Sequence, residues 1–413
     1  MAMLRIKKLR LKNFRGFENI SIDFSEHITC IAGINGTGKT TILSALERSM
    51  LIFLNKNHLS KYYSRKYALN AVDVRLAGED SFLTKTSTAE TEMTFSLDGQ
   101  DAHIKHSFFK QGASGKYHSA TYGGSGFVNA ESCPIFAFYS INRRNSSIEK
   151  QRKYKYSASI FAAWENVNLL NFDCFYAWFK DEQLDEYQKR ENLNTYESKQ
   201  LKAVKLAIDS FFDGKIKLKI HNGRLMAVKG NIELLFQSFS DGEKSLVYIL
   251  ADIARRLAIA NEKLDNPLEG SGVVLIDEIE MHLHPSWQRK ICSILVRTFP
   301  NCQFVITTHS PQVLGELQPQ DIRLLSNFAV SVPSQSFGLD SNSILDTLQN
   351  DTNLSLRQNA HVSEKLDEIS GLIDEGNLSK ARDELRSLEK ELNGSTTETV
   401  SLETEIALME DAE

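Results

Sequence analysis

An eight-residue glycine loop near the N-terminus constrains the fold of this 413-residue chain more than any other feature. Residues 33–40 read Gly-Ile-Asn-Gly-Thr-Gly-Lys-Thr, which fits the pattern GxxxxGK[ST]. A largely apolar run over residues 27–31 precedes the loop, and apolar side chains at helical spacing follow it from Ile42 to Met50. A strand, a glycine loop and a helix in this order predict a phosphate-binding turn within a parallel α/β sheet.

The loop has the residue types that a triphosphate requires. Glycines allow backbone N–H groups to turn toward phosphate oxygens, and the N-terminus of the next helix favours negative charge. Lys39 would reach the β and γ phosphates, and the Thr40 hydroxyl would ligate Mg²⁺. A glycine turn without a ligand is the alternative, but the flanking strand and helix disfavour it. The residues expected to bind ATP here are Asn35, Gly36, Thr37, Gly38, Lys39, Thr40 and Thr41.

A second apolar strand, over residues 272–276, ends in the acidic pair Asp277-Glu278. The carboxyl end of a strand in a parallel sheet is where ligand-facing residues lie. Asp277 would hold Mg²⁺ through water, and Glu278 would orient or deprotonate the attacking water. A strand that leaves the core into an acidic turn is the simpler alternative, which the glycine loop upstream weakens.

The segment Ser240-Asp241-Gly242-Glu243 supports two interpretations. Serine at a helix N-cap with glutamate three residues later is a capping box, which begins many helices that bind nothing. The same segment also suits a γ-phosphate, because it offers a serine hydroxyl, a close-approach glycine and a helix N-terminus. Ser240, Gly242 and Glu243 are therefore candidate nucleotide-binding residues.

Histidines mark the end of one strand and one loop. His309 follows the strand Phe304–Thr307 and could hydrogen-bond the γ-phosphate and report its hydrolysis, although a polar loop histidine is an equal alternative. His282 and His284 have the spacing of a metal pair, but no cysteine or acidic cluster surrounds them in the sequence. A structural loop is the favoured interpretation for those two.

Composition excludes several classes of protein. No run of 18 apolar residues occurs, so we expect no membrane span, and the basic N-terminus lacks the apolar core of a secretory signal. Five scattered cysteines form no CxxC pair, which fits a reduced cytoplasmic setting and neither zinc nor a disulfide framework. A net charge of −5 argues against nonspecific coating of nucleic acid by the whole surface.

Periodicity predicts one large head followed by a helical end. Strands and polar loops are expected before residue 130, helices over about 155–215, and a hairpin over 217–228 with a type I′ turn at Asn222-Gly223. Two apolar helical faces, over 362–373 and 378–392, predict a helical hairpin, with a possible third helix after it. We therefore expect an ATPase head over 1–335 and a C-terminal helical extension over 336–413.

The set of motifs resembles that of the ABC-type ATPases of the RecF/SMC/OLD class. The resemblance covers about residues 1–325 and rests on Asn13-Phe-Arg-Gly-Phe17, on Phe239–Glu243 and on the loop Glu280-Met-His-Leu-His-Pro285. The whole chain looks most like the ATPase subunit of Septu antiphage systems, which also occurs in some retron systems. The resemblance implies an α/β head, a mixed sheet with flanking helices, with an inserted helical region.

The resemblance also implies roles for single residues. Arg15 would approach the nucleotide of its own subunit, while Ser240 and Gly242 would serve the neighbour's. Arg143 and Arg144 would lie in a loop lining the site, and no clear Q-loop glutamine is present. Asp241 replaces the first glycine of the usual signature, which would slow hydrolysis by placing a carboxylate near phosphate. The candidate catalytic residues are Lys39, Glu278 and His309.

The partners implied by the resemblance are a second copy of the chain and an HNH nuclease encoded beside it, with DNA or a retron nucleic acid as a further possibility. No nuclease centre is evident in the sequence. The alternative is a RecF-like repair ATPase that clamps DNA through the basic, aromatic run of residues 143–156, although such a run is more often a solvated face. A transporter ATPase is disfavoured by the long insertion between Thr40 and Ser240.

Overall fold

The computed structural model describes most of the chain. The described residues are 3–56, 69, 73–75, 86–111, 115–123, 134–141, 172–192, 196–341, 343–344, 360–392 and 394–410. They form two compact units, Met1–Leu339 and Asp340–Glu413. No helix in these ranges is both long enough and apolar enough to cross a bilayer.

A six-stranded sheet forms the centre of the first unit. Its order is β14-β13-β3-β12-β11-β7, and every pairing is parallel except that of the edge strand β14 with β13. The strands are β3 (Ile28–Ala32), β7 (Ile135–Tyr139), β11 (Gly272–Ile276), β12 (Cys302–Thr308), β13 (Ile322–Ser326) and β14 (Ala329–Ser331). Strands β3, β7, β11 and β12 are buried along their whole length, which explains their continuous apolar runs.

Because β3, β11 and β12 run parallel, their carboxyl ends meet at one edge of the sheet. The glycine loop leaves the end of β3, the acidic pair follows β11, and His309 follows β12. Three motifs that are distant in the sequence are therefore brought together at the edge where α/β sheets bind ligands. The expected α/β head, a mixed sheet with flanking helices, is confirmed.

A second, antiparallel sheet contains the N-terminal strands in the order β2-β1-β4-β5-β6. They are β1 (Leu4–Phe14), β2 (Phe17–Asp23), β4 (Thr86–Leu97), β5 (Gln100–Gln111) and β6 (Gly115–Gly123). Arg15, in the β1–β2 turn, has φ 51°, and its backbone N–H donates to the Asp73 carbonyl over 2.8 Å. This bond holds a left-handed backbone that a residue other than glycine seldom adopts.

Helices flank the sheets of the first unit: α1 (Lys39–Lys56), α2 (Phe172–Asn192), α3 (Lys199–Phe212), α4 (Asp241–Ala260), α5 (Pro285–Thr298) and α6 (Pro311–Leu314). Helix α1 contacts β4, β5 and β6 of the antiparallel sheet and β12 of the central sheet. Helix α4 is buried along most of its length and contacts α3 and β7. The glycine loop therefore opens a helix that packs against both sheets.

A small three-stranded sheet precedes α4, in the order β10-β9-β8. Its strands are β8 (Ile216–His221), β9 (Arg224–Lys229) and β10 (Ile232–Leu235). Asn222 and Gly223 join β8 to β9 with φ values of 49° and 67°. Positive φ at both central residues is the requirement of a type I′ turn, so the predicted hairpin is confirmed.

The second unit contains the helices α7 (Ala360–Asp374), α8 (Leu378–Leu392) and α9 (Thr397–Glu410). Their buried side chains form one apolar core: Leu366, Ile369, Leu372, Ile373, Ala381, Leu385, Leu388 and Ile406. Gly376, with φ 76°, ends α7 and donates its N–H to the Ile373 carbonyl over 2.9 Å. The spacing of apolar residues thus predicted the hairpin of α7 and α8, and α9 lies where the sequence allowed a third helix.

Candidate functional site

The glycine loop curls around the ammonium group of its own lysine. Lys39 is only 5% exposed, and its Nζ donates to the carbonyls of Gly33 at 2.8 Å and Ile34 at 3.1 Å. Gly38 has φ 101°, and a Cβ there would stand 2.6 Å from the Phe17 ring. The loop therefore needs glycine at this position for two reasons, its left-handed backbone and the aromatic ring beside it.

Asp277 joins the glycine loop to the end of the central sheet. Its carboxylate is fully buried and accepts the Thr40 hydroxyl at 2.9 Å and the Thr307 hydroxyl at 2.6 Å. A threonine hydroxyl and a carboxylate are hard oxygen donors of the kind that Mg²⁺ prefers. The structure thus brings the two predicted magnesium residues, Thr40 and Asp277, into direct contact.

Thr307 was not predicted as a site residue, although it holds the side chain of Asp277 and the backbone of Glu278. Its hydroxyl donates to Asp277 and accepts the backbone N–H of Glu278 at 2.8 Å. The Glu278 backbone has φ 46°, so this hydrogen bond supports a left-handed conformation. The Thr-Thr-His-Ser sequence at the end of β12 contains this signal, but the pattern alone points only to the histidine in it.

Glu278 lies between the lysine and the histidine of the site. Its Oε1 is 3.7 Å from Lys39 Nζ, and its Oε2 is 2.6 Å from His309 Nδ1. Glu278 is largely buried, whereas His309 is 56% exposed. All three candidate catalytic residues therefore form one connected cluster.

Glu280 also belongs to this cluster and was not predicted as a site residue. It is 6% exposed, and its Oε1 accepts the backbone N–H of His309 at 2.9 Å and lies 3.0 Å from His309 Nδ1. Burial raises the pKa of Glu280, and the hydrogen bond from the His309 backbone opposes that rise. Possible ligand atoms of Glu278, Glu280 and His309 lie within 4.8 Å of one another. The ion pair of Glu278 with Lys39 and the hydrogen bonds of His309 with the two carboxylates account for the proximity of these three residues.

Ser240 and Glu243 form the capping box that the sequence allowed as an alternative. The Ser240 hydroxyl accepts the Glu243 N–H at 3.2 Å, and the Glu243 carboxylate accepts the Ser240 N–H at 3.1 Å. Lys229 also donates to Glu243 at 3.0 Å. Burial favours the protonated form, but the bonds from Lys229 and Ser240 prevail and lower the pKa of Glu243. A role toward a neighbouring subunit would be additional to this capping.

Gly242 packs against the loop of the two histidines. A Cβ on Gly242 would stand 2.2 Å from the His282 carbonyl oxygen. His284 is the N-cap of α5, where its Nδ1 accepts the Ser286 N–H at 3.3 Å. His282 and His284 therefore have structural contacts in the loop before α5 and at the start of that helix. This agrees with the interpretation of the segment as a structural loop.

Arg15 binds a buried carboxylate that the sequence did not reveal. Its Nε is 3.1 Å from Asp73 Oδ1, and Arg48 of α1 is 2.6 Å from Asp73 Oδ2. The Asp73 side chain is fully buried. Asp73 thus ties the β1–β2 turn to the helix that follows the glycine loop. Arg143, Arg144 and the basic run to residue 156 lie outside the described residues.

A buried ionic group on α4 connects that helix to the nucleotide edge. Asp252 accepts bonds from Arg255 at 2.7 Å, Arg256 at 2.7 Å and the Tyr139 hydroxyl at 3.0 Å. The carbonyl of Tyr139 in turn accepts the Asp277 N–H at 2.8 Å. Burial alone would raise the pKa of Asp252, but the two guanidinium groups hold it well below its usual range.

Two family models match the chain. A model described as an AAA ATPase domain matches residues 4–210, which is half of the sequence. A second model, described as an AAA domain, matches residues 140–315. Together these matches include the glycine loop, the Ser240 segment, the acidic pair and His309.

Curated relatives match most of the chain. The Retron Ec83 probable ATPase of Escherichia coli is 30% identical over 409 residues, which cover 79% of this chain and 72% of that protein. Septu protein PtuA of Bacillus thuringiensis is 24% identical over 391 residues, which cover 92% of this chain and 91% of that protein. The Retron Vc95 probable ATPase of Vibrio cholerae is 26% identical over 410 residues, covering 84% and 79% of the two chains.

Solved structures with a similar arrangement include an Smc head bound to the C-winged helix domain of ScpA, with a TM-score of 0.49 and 17% sequence identity. That match covers 80% of this chain and 98% of the other. The recombination mediator protein RecF, with a TM-score of 0.44 and 15% identity, is also similar, over 80% of this chain and 98% of the other.

Proposed function

Because this chain belongs to the AAA ATPase domain family and is an ATPase, we propose that it is the ATP-hydrolysing regulatory subunit of an antiviral defence complex. The retron and Septu relatives support the assignment to defence, since the chain matches them along most of its length. In this proposal ATP controls the assembly of two copies of the chain and, through it, a separate HNH nuclease.

One observation carries the nucleotide part of the proposal: the Thr40 hydroxyl meets the Asp277 carboxylate at 2.9 Å. This bond joins two oxygen donors, one from the loop after β3 and one from the end of β11, that could share one metal ion. Thr40 and Asp277 would hold Mg²⁺, which when bound neutralises charge on the phosphates. The phosphates would lie along the backbone N–H groups at the start of α1.

Lys39 and Glu278 change partners when the triphosphate arrives. The ammonium of Lys39, which donates to two loop carbonyls, turns to the β and γ phosphate oxygens. Glu278 then loses its nearest cation and accepts a proton from the attacking water. His309, on the outer side of Glu278, contacts the γ-phosphate.

The second copy of the chain completes the site. The N-terminus of α4, with Ser240 and Gly242, faces the γ-phosphate held by the first copy, where the helix dipole favours negative charge. Since the site is then shared, ATP binding and dimerisation are thermodynamically linked. Hydrolysis removes the shared phosphate and releases the dimer. Arg15 remains near the nucleotide of its own subunit.

Light scattering tests this linkage directly. We expect the Glu278→Gln protein with Mg–ATP to be a dimer at a concentration where the same protein without nucleotide is a monomer. The Lys39→Ala protein is the control, because it lacks the ammonium that is expected to bind the phosphates and should remain a monomer with Mg–ATP. A Glu278→Gln protein of the same mass with and without Mg–ATP would refute dimerisation by nucleotide.

The HNH nuclease is proposed to bind the helical unit after residue 340. Support comes from the resemblance to Septu ATPases and from the separate core that this unit has. Co-expression of the chain with the HNH protein encoded beside its gene should give a complex on affinity purification. Deleting residues 340–413 should abolish the complex while Mg–ATP binding is kept. If the truncated head still retains the nuclease, this docking role is wrong.

A further inference from the structure

Glu280 is a buried carboxylate in the ATP site for which the mechanism above provides no role. Its Oε1 accepts the backbone N–H of His309 at 2.9 Å and lies 3.0 Å from the Nδ1 atom of the same residue. Its Oε2 is buried and has no partner of good hydrogen-bond geometry among the described residues, although the Thr308 hydroxyl and the Glu280 backbone N–H are close enough to oppose the rise in the pKa of this carboxyl. A buried carboxylate with an open acceptor site has a free-energy cost that a purely structural side chain would avoid.

The imidazole of His309 is hydrogen-bonded to Glu278, the proposed catalytic base. Its Nδ1 is 2.6 Å from Glu278 Oε2, which is within hydrogen-bond distance. In the proposed function Glu278 is the base, and a carboxylate that acts as a base accepts this bond, with Nδ1 as the donor. Once Lys39 has turned to the phosphates, Oε1 of Glu278 can face the attacking water, but Oε2 stays bonded to the imidazole and fixes the orientation of the carboxylate. The bond to His309 must therefore break if the whole carboxylate is to turn toward the water.

We propose that Glu280 is a positioning residue, whose carboxylate accepts the Nδ1–H of His309 when Glu278 turns to the attacking water. This inference rests on the roles of Glu278 and His309 in the proposed function. The transfer needs little movement, because Glu280 Oε1 is already 3.0 Å from Nδ1. The backbone bond to His309 holds Glu280 in place, while the exposed imidazole has room to turn.

The substitution Glu280→Gln isolates the charge of this side chain. Glutamine has nearly the same size and keeps an oxygen that can accept the His309 backbone N–H, but it is a weaker acceptor for the imidazole. A hydrogen bond to a charged group is strong enough that its loss should lower kcat about tenfold. KM for ATP should stay within about twofold, because Glu280 acts only after ATP is bound. Glu262→Gln, at an exposed position, is the control and should leave both constants unchanged.

A double-mutant cycle separates positioning from a structural effect. In the His309→Ala background no imidazole holds Glu278, so Glu280→Gln should cause no further loss in single-turnover hydrolysis. An equal loss in both backgrounds would overturn the proposal, as would an unchanged kcat when Glu280→Gln is made alone. A Glu278→Gln protein that hydrolyses ATP at the wild-type rate would instead refute Glu278 as the base. Because that test uses a different variant, failure of the proposed function can be distinguished from failure of this inference.

If Glu280→Gln does not fold, ¹⁵N NMR of histidine-labelled protein can test whether Glu280 accepts the His309 imidazole. In the Glu278→Ala protein, Glu280 is the carboxylate left beside His309 among the described residues. We expect the Nδ1 resonance of His309, assigned by its disappearance in His309→Ala, to keep the shift of a hydrogen-bonded N–H. A resonance typical of a water-exposed ring would show that Glu280 does not accept the imidazole.

Discussion

The backbone carbonyl of His282 lies 2.2 Å from the point where a Cβ on Gly242 would stand. This contact joins the first turn of α4 to the loop between β11 and α5, so it links two segments of the nucleotide site within one subunit. Gly242 is therefore required by the fold of the isolated chain, whether or not a neighbouring subunit uses it.

Gly242→Ala should destabilise the head in the absence of any nucleotide. Forcing a methyl group against a backbone carbonyl costs about 1–3 kcal/mol in closely packed sites. The change should lower the melting temperature measured by differential scanning calorimetry. Gly371→Ala is the matched control: this helical glycine of α7 has open space around it, so alanine should be neutral or stabilising there. An unchanged melting temperature for Gly242→Ala would mean that the loop can move away.

Two serine N-caps allow the capping role of Ser240 to be separated from its proposed role between subunits. Ser240 caps α4 and Ser198 caps α3, and each accepts a backbone N–H three residues later. Alanine at either cap should cost about 1 kcal/mol of stability. Only Ser240→Ala should also prevent the Mg–ATP-dependent dimer seen by light scattering in the Glu278→Gln background. Equal dimerisation of the two variants would restrict Ser240 to capping.

Lys39→Ala should abolish ATP binding, because it removes the ammonium group that the glycine loop surrounds and that is expected to bind the phosphates. Isothermal titration calorimetry with Mg–ATP should give no measurable heat of binding at concentrations that saturate the wild type. Ile34 is exposed, so its carbonyl can be hydrated in the variant, and the buried Gly33 carbonyl loses one donor while the adjoining strand and helix keep their own hydrogen bonds. Far-UV circular dichroism should therefore show an unchanged fold. Wild-type affinity in this variant would contradict the assignment of the loop.

Glu278→Gln should bind Mg–ATP and retain it. Glutamine still accepts a hydrogen bond but is too weak a base to take a proton from water, so turnover should fall by about 10²-fold or more. Filter binding with labelled ATP should show a longer-lived complex than in the wild type. Equal turnover in the two proteins would remove Glu278 as the base.

Local signals in the sequence were sufficient for most elements near the site. Strand β11 occupies the five residues that the apolar run predicted, because a fully buried parallel strand has no polar face to obscure it. The turn at Asn222-Gly223 was equally predictable, since few residue pairs tolerate positive φ at both positions. The motifs at the ends of β3, β11 and β12 met at one edge for the topological reason that parallel strands impose.

The residues that the sequence did not reveal are those whose partners are distant along the chain. Asp73 contacts Arg15, 58 residues away, and Tyr139 contacts Asp252 across 113 residues. No periodicity or short motif encodes such a pair, because the contact exists only after the sheets and helices pack. Glu280 is the first residue of a loop motif that the family resemblance includes. Its proposed role depends on the orientation of His309, which only the structure provides.

Asp252→Asn should destabilise the protein strongly at neutral pH. The substitution removes the carboxylate that pairs with the buried Arg255 and Arg256. Breaking a buried ion pair in this way lowers the free energy of unfolding by about 3–5 kcal/mol. Because the folded pKa of Asp252 lies below its unfolded value, its stabilisation is present above the unfolded pKa and is lost as the pH falls toward the folded one. The difference in melting temperature between wild type and Asp252→Asn should therefore be large at pH 7 and shrink below about pH 4. Asp367→Asn, an exposed change on α7, should melt like the wild type throughout. A constant difference across this range would show that packing, and not charge, is what Asp252 contributes.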